Sequence, residues 1–390
     1  MRRMSRAAAQ KAYRELPLPT TSEEGWRFTD LTGFDPAAYE LAAEARPTEI
    51  APLFELELAG RARIDESGVE IIDAPPGVVF TPLREKDKRV GALVEVTDKI
   101  AAANAALWRH GLLVEVPAGV ELERPLHVRI ESTVAGAVLP TRLLVVAGEG
   151  SRFALIEEHV SASEEIDAFT SCVVEVHVGA GAKLELVSVQ RLSPKTWHFA
   201  HQRARLERDS ELDWACVGLG SKKGKIWLAN DLVGAGATSR VTGVYFADGA
   251  QHLDYDTYQE HAAPHTTSDF VFRGALRDEA TAVWRGMIHV EPEAQGTDAY
   301  QENRNLLLSR KAHANSAPGL EILANDVRCS HGATVGQVDR DQLFYLMSRG
   351  LSANEAERLI VRGFFAEALD RSEREPVREA LAAALETRIP

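Results

Sequence analysis

GEGSRFALIEE at Gly148–Glu158, GAGAKLELVSV at Gly179–Val189, ERDSELDWACV at Glu207–Val217 and GAGATSRVTGV at Gly234–Val244 share one pattern. Each is a short turn-forming segment followed by alternating residues, and successive starts lie 31, 28 and 27 residues apart. Alternation with period two puts Phe153 with Leu155, Leu184 with Leu186, and Leu212 with Trp214 on one face of an extended strand. A turn and strand recurring at this interval fit coils stacked over a continuous apolar interior. A β-sandwich also produces alternating strands, and the fourth copy places Ser239 where the others carry a large apolar residue. The periodicity alone does not choose between solenoid and sandwich.

Outward from the repeats, residues 112–337 continue as short strands punctuated by Gly, Pro and Asp turns. Residues 1–111 form a mixed helical and strand region. Met1 to Glu15 suits a helix stopped by Pro17 and Pro19. DKIAAANAALWRHG suits a second, capped by Thr97 or Asp98 and ended by Gly111 in the left-handed conformation. The spacing of Ile100, Ala103, Leu107 and Trp108 makes Trp108 a packing anchor. Residues 338–390 read as a helical module. DRDQLFYLMSRG starts at Asp339 and stops at Gly350, and Ser352 with Glu355 forms a capping box opening a second helix through about Asp370. Ala356, Leu359, Ile360 and Phe364 share one face of that helix. Pro376 stands early in a third helix ending near Glu386.

At 390 residues the chain exceeds the roughly 250–300 residues of a single ordinary core, so two or three units or one elongated core are expected. A net charge of −14 and a pI near 5.4 argue against a partner bound through phosphates, since nucleic-acid affinity rests on clustered Lys and Arg. Three dispersed cysteines, Cys172, Cys216 and Cys329, form no CxxC pair and suit a reducing cytoplasm. The basic start has no apolar run of signal-peptide length, and no segment reaches the roughly 18 apolar residues of a membrane span. The chain reads as cytoplasmic.

Most chemistry falls in LEILANDVRCSHGATVGQVDRDQLFYLMSRG, Leu320 to Gly350. Cys329 and His331 stand two apart in an extended stretch, so thiol and imidazole face one ligand. Both groups bind iron and sulfide-bridged clusters, and an accessible thiolate passes persulfide sulfur. The competing reading makes Cys329 a small buried hydrophobe. His252, His261, His265, His289 and His313 lack HxH or HExxH spacing and read as scattered turn or surface residues. GLGSKKGKIW at Gly218–Trp227 departs from a phosphate loop at Leu219 and Ile226, and reads as a turn. The pairs Asp254/Asp256 and Glu291/Glu293 fit either the carboxylates of a β-helical carbohydrate-active enzyme or, more simply, solvent-facing strand positions. A cupin-like metal-dependent oxygenase would need histidines and a carboxylate clustered on adjacent strands.

ANDVRCSHGATVG followed by DQLFYLMSRG, with MIHVEPEAQGTDAYQENRNLLLS upstream at Met287–Ser309 and EEGWRFTDL near Trp26, closely resembles the SufB/SufD family of the Suf iron-sulfur assembly system, on its SufD side. The resemblance is strongest from Trp284 to Leu369. It implies a mainly β chain: a right-handed parallel β-helix core at 112–337, an N-terminal mixed α/β region at 1–111 and a C-terminal helical module at 338–390. It also implies a non-catalytic scaffold subunit that pairs with a SufB-like paralogue as a heterodimer, or with itself when alone, and docks a SufC-like ABC ATPase through the helical module. Leu343, Phe344, Leu346, Leu359, Ile360 and Phe364 are the docking candidates. His331, with Cys329 as a weaker accomplice, then becomes a ligand of a transient iron-sulfur cluster shared with the paralogue. One thiolate and one imidazole leave a cluster short of the four ligands it usually takes, so the other donors come from a second surface. SufB members carry additional cysteines and Glu-His-Glu where this chain has CSH. Assembled complexes of the family also carry reduced flavin, for which no residue here is a candidate.

Overall fold

The computed structural model describes residues 4–46, 51, 53–372 and 374–389. Nineteen strands carry the architecture of the described residues. The first five are β1 Gly60–Asp65, β2 Gly68–Asp73, β3 Val79–Pro82, β4 His110–Val116 and β5 Leu126–Ser132. The middle coils use β6 Val138–Ala147, β7 Arg152–Ser161, β8 Phe169–Val178, β9 Lys183–Arg191, β10 Trp197–Leu206, β11 Glu211–Gly218 and β12 Lys223–Leu232. The last seven are β13 Thr238–Ala247, β14 His252–His261, β15 Thr267–Leu276, β16 Thr281–Val290, β17 Thr297–Leu307, β18 His313–Ile322 and β19 Val327–Gln337.

From β4 onward, strands alternate between two sheets. One runs β19-β17-β15-β13-β11-β9-β7-β5-β1-β2 and the other β18-β16-β14-β12-β10-β8-β6-β4-β3. The main ladders are parallel and in register, so Ala200 of β10 lies between Cys172 and Ile226. The chain is therefore a mainly β solenoid of about eight turns, with helices at its N- and C-terminal ends. Cupins are antiparallel jelly rolls, so the parallel ladder overturns that alternative.

The repeat has a backbone cause. Its third position is Gly150, Gly181, Asp209 or Gly236, and all four have positive φ, between 54° and 75°. A left-handed residue turns the chain from one sheet to the other, and Gly or Asp tolerates that conformation best. The same residues bond coil to coil: Gly150 N–H to Ala180 O at 2.9 Å, Gly181 N–H to Arg208 O at 2.8 Å, and Asp209 N–H to Ala235 O at 2.9 Å. Ser239 does not break the interior. It is fully buried and accepts a 2.7 Å hydrogen bond from Asn230 Nδ2.

Stacked inward residues make one long core, from Ala62 and Ile64 to Ala312 and Ala314. It changes character along its length. Toward β17 the interior holds Gln301, Asn303 and Asn305, with Asn303 and Asn305 bonded to the Tyr245 hydroxyl. Buried polar groups persist where such partners exist.

Each sheet also has an apolar outer face that would be costly to leave in water. Trp26, Leu31, Phe34 and Ile100 of the N-terminal region cover Val138, Phe169, Trp197 and Phe199 on one sheet. The helix bearing Ile100, α2 Lys99–Leu107, is capped by Asp98 and packs on α1 Arg6–Glu15. The Lys99 ammonium donates to the Tyr13 and Leu16 carbonyls at the end of α1. Trp108 is buried against Leu83, Val90 and Leu144. The helix stops at Leu107, and Gly111, expected to end it, lies within β4.

The C-terminal helices are α3 Arg340–Ser348, α4 Ala353–Leu369 and α5 Glu375–Glu386. The Ser352/Glu355 capping box is present, and Pro376 sits in the first turn of α5. Val361, Phe365, Val377, Leu381 and Leu385 cover Val187, Val217, Val244 and Phe246 of the other sheet. Such side chains contribute about 1.5–3 kcal/mol each when fully buried, so α4 and α5 are fastened to the solenoid.

Candidate functional site at the open end of the solenoid

The solenoid ends at β18 and β19, the last strand of each sheet. Each therefore has one side pairing no described strand, a row of backbone donors and acceptors able to receive another strand. β19 pairs in parallel with β17, with Cys329 beside Ala299 and His331 beside Gln301. Ala299 and Gln301 are both buried. In-register pairing keeps side-chain direction, so Cys329 and His331 share the inner face of β19, as the two-residue spacing predicts.

Their surroundings differ sharply. Cys329 is half-buried against Ile288, Ala299, Ala324 and Val327. Burial, and then the Asp298 carboxylate, push its thiol above the ordinary value, so it rests protonated. His331 is exposed. The end of the solenoid thus presents an open imidazole beside a partly covered thiol.

Immediately after β19, Asp339 caps α3, accepting from the backbone of Asp341 and Gln342. This helix buries no residue. Phe344 is 73% exposed and Tyr345 55% exposed, and the Arg349 guanidinium lies 5.1 Å from the Tyr345 ring centre. Leu343 and Leu346 are half-buried. On α4, Leu359 is exposed, Ile360 is half-buried, and Phe364 meets Phe365 edge-on at 5.5 Å. The six residues singled out for docking therefore divide between open and partly packed positions. Ala356, assigned to the same face of α4, is buried.

Other expectations resolve individually. His252 and His261 are buried and hydrogen-bonded to Thr281 and to Thr266 and Ser268, while His265 occupies a positive-φ turn. His289 bonds Glu260 at 3.0 Å, and with Glu291 they bring three ligand atoms together at the surface. His313 is exposed. Asp254 was expected to face solvent and does not. It lies beneath the N-terminal region, joined to the buried Lys225 ammonium and the Thr29 hydroxyl. Asp256 is paired with Arg285. These two carboxylates are engaged structurally, which removes Asp254 and Asp256 as a glycosidase pair. Gly218–Trp227 is a strand-turn-strand with no following helix.

Sequence reading missed a third constellation. Glu157 and His159 of β7 and Cys172 of β8 are all buried, and their ligand atoms lie within 4.8 Å of one another. The available signal was the interruption of an apolar strand by alternating Glu157 and His159.

These features define a parallel β-solenoid with an open terminal coil bearing a thiol and an imidazole. The family model described as the SUF system FeS cluster assembly, SufBD core domain, matches residues 129–364. The chain belongs to the SufB/SufD family of iron-sulfur cluster assembly proteins. It is 32% identical over 335 residues to an iron-sulfur cluster assembly SufBD family protein of Mycobacterium tuberculosis, covering 84% of this chain and 83% of that relative. It is 30% identical to the Bacillus subtilis assembly protein SufD over 325 residues, 80% of this chain and 74% of SufD. Against SufB of the same organism the identity is also 30%, over 269 residues, 68% of this chain and 57% of SufB.

Proposed function

We propose that this chain is the SufD-type, non-catalytic scaffold subunit of an iron-sulfur assembly complex. It pairs through the open end of its solenoid with a SufB-like chain, and α3 with the exposed part of α4 docks a SufC-like ATPase. The observation that carries this reading is the placement of Cys329 and His331 on one face of a terminal strand with a free edge. The nascent cluster is cargo. This chain offers an imidazole and a thiol toward it, and the facing chain supplies the remaining donors.

The half-covered, protonated state of Cys329 gives the ATPase a mechanical task. Movement of a subunit docked on α3, the element directly following β19, loosens the coil end. Water then reaches the thiol, the desolvation that holds its proton is relieved, and the thiol can pass that proton to solvent as it ligates iron. His331 is open from the start and meets iron first.

The test is anaerobic co-expression with a SufB-like chain and the ATPase, reading visible absorbance, iron and acid-labile sulfide. His331→Ala should leave the three-protein complex intact and lower cluster content several-fold. Unchanged cluster content removes His331 from the site, and failure of the three chains to associate overturns the assignment.

A further inference from the structure

The interior of the solenoid is apolar where β7 begins, with Phe153 and Leu155, and then receives Glu157 and His159 on the same face. Their in-register neighbours on β5 are Val128 and Ile130. Glu157 is completely buried. It accepts from Ser188 Oγ at 2.8 Å and from Cys172 Sγ at 3.4 Å, and its Oε1 lies 2.8 Å from His159 Nε2. Isolating a carboxylate from water costs several kcal/mol unless strong partners replace hydration. Burial alone would push the Glu157 carboxyl up, but His159, Ser188 and Cys172 together hold it below its ordinary value, as a carboxylate ringed by donor groups.

The three side chains come from two walls. Glu157 and His159 belong to one sheet and Cys172 to the other, and they meet across the coil interior. Carboxylate, imidazole and thiolate together form a donor set for zinc or ferrous iron. Bonds of about 2.0–2.3 Å in a tetrahedron set ligand atoms roughly 3.3–3.6 Å apart. The Glu157–Cys172 separation of 3.4 Å already matches, and the 2.8 Å Glu157–His159 contact needs to open by about half an ångström. Beside them a cavity of about 20 Å³ touches His159, Ser188, His198 and Gln202, space for one water. Gln202 is 7% exposed, and its Oε1 is buried without a hydrogen-bond partner at this cavity. A buried acceptor without a donor marks a place where a water belongs, here next to the His159 imidazole.

We propose that Glu157, His159 and Cys172 form a mononuclear site for a thiophilic divalent cation, zinc or ferrous iron, inside the solenoid. It is separate from the Cys329/His331 end and does not depend on the assembly reading. With His159 neutral, binding replaces the Cys172 thiol proton by the metal and releases one proton per ion. In the free site the His159 Nε2–H donates to the Glu157 carboxylate at 2.8 Å, so binding shifts the imidazole proton to Nδ1 and leaves Nε2 to coordinate. A dication with one thiolate and one carboxylate is neutral overall, which balances the buried charge of Glu157 and cross-links the two sheets.

The full-length chain, unfolded in denaturant anaerobically and refolded with cobalt(II), tests this, because thiolate-bound cobalt has a near-ultraviolet charge-transfer band. Wild type, Cys216→Ser and Cys329→Ser should each take up one cobalt with that band. Cys172→Ser should lose the band, and Glu157→Gln should weaken uptake at least about tenfold. His159→Gln keeps the thiol and should also bind weakly, which covers the case in which Cys172→Ser does not refold. Metal content of protein purified without chelator distinguishes zinc from iron. Absence of cobalt uptake by refolded wild type overturns the site. So does a band that survives Cys172→Ser and disappears in Cys329→Ser.

Discussion

Gly243 lies on the inner face of β13, and a Cβ there would stand 2.0 Å from the Phe272 ring. Phe272 is fully buried and wedged at a tilt between Tyr255 and Trp284, so it has no free direction in which to retreat. Gly243→Ala should therefore destabilise the chain by about 1–3 kcal/mol through overpacking, read as a lower denaturant midpoint. A wild-type midpoint would show that the ring has room. The glycine is visible in the sequence as punctuation in RVTGV at Arg240–Val244, but its reason is not. Only stacking the coils brings residue 272 over residue 243. The same separation hides the setting of Asp254: its alternation with Asp256 is legible, whereas its burial depends on Thr29, a residue 225 positions earlier.

Among the elements, α3 and α4 show how similar helical patterns acquire opposite duties. Phe365 is buried against the sheet, while Phe344 projects from a helix that buries nothing. Phe365→Ala should cost about 3–5 kcal/mol of stability. Phe344→Ala should leave thermal unfolding unchanged and weaken association with the ATPase by about 2 kcal/mol, roughly 30-fold in Kd, if it anchors that interface. Calorimetric titration beside a thermal melt checks both, and a Phe344 variant that binds normally excludes α3 as the dock. Deleting everything after Gly336 is a poorer test, since it also uncovers Val187, Val217, Val244 and Phe246. Helix caps were legible because they are local: Ser352 with Glu355, Asp98 and Pro376 all act within one turn. Which face of each helix is covered was not, because the covering strands are distant in sequence.

At the scale of the molecule, stacking buries histidines in numbers that set its response to pH. Burial pulls His201, His252 and His261 each down to about 4. Their unfolded value is about 6.5. Between those values the unfolded chain binds protons that the folded chain does not, so acidification favours unfolding. The loss begins near pH 6.5 and is complete for these groups near pH 4, at up to about 1.4 kcal/mol per pH unit for each histidine. Burial raises the Glu131 and Asp256 carboxyls, which act in the opposite sense nearer the ordinary carboxylate range. Urea midpoints should thus fall clearly from pH 7 to pH 5. An unchanged midpoint would mean that these imidazoles are hydrated.

The sequence determined the features that depend on neighbours in the chain. Left-handed turn residues at the third position of each repeat, period-two strands, helix caps and the shared face of Cys329 and His331 all follow from backbone geometry over a few residues. With the SufB/SufD-like motifs, these were enough for the solenoid and for the placement of Cys329 and His331 on one face of its last strand. Tertiary structure alone decided what lies across a coil and what covers a sheet. It half-buries Cys329 while exposing His331, packs α4 and α5 onto one wall, lays the Trp26 region over the other, and brings Glu157, His159 and Cys172 together. The physical reason is that burial and electrostatics depend on through-space neighbours, and in a solenoid the nearest of these lie roughly one coil away in sequence.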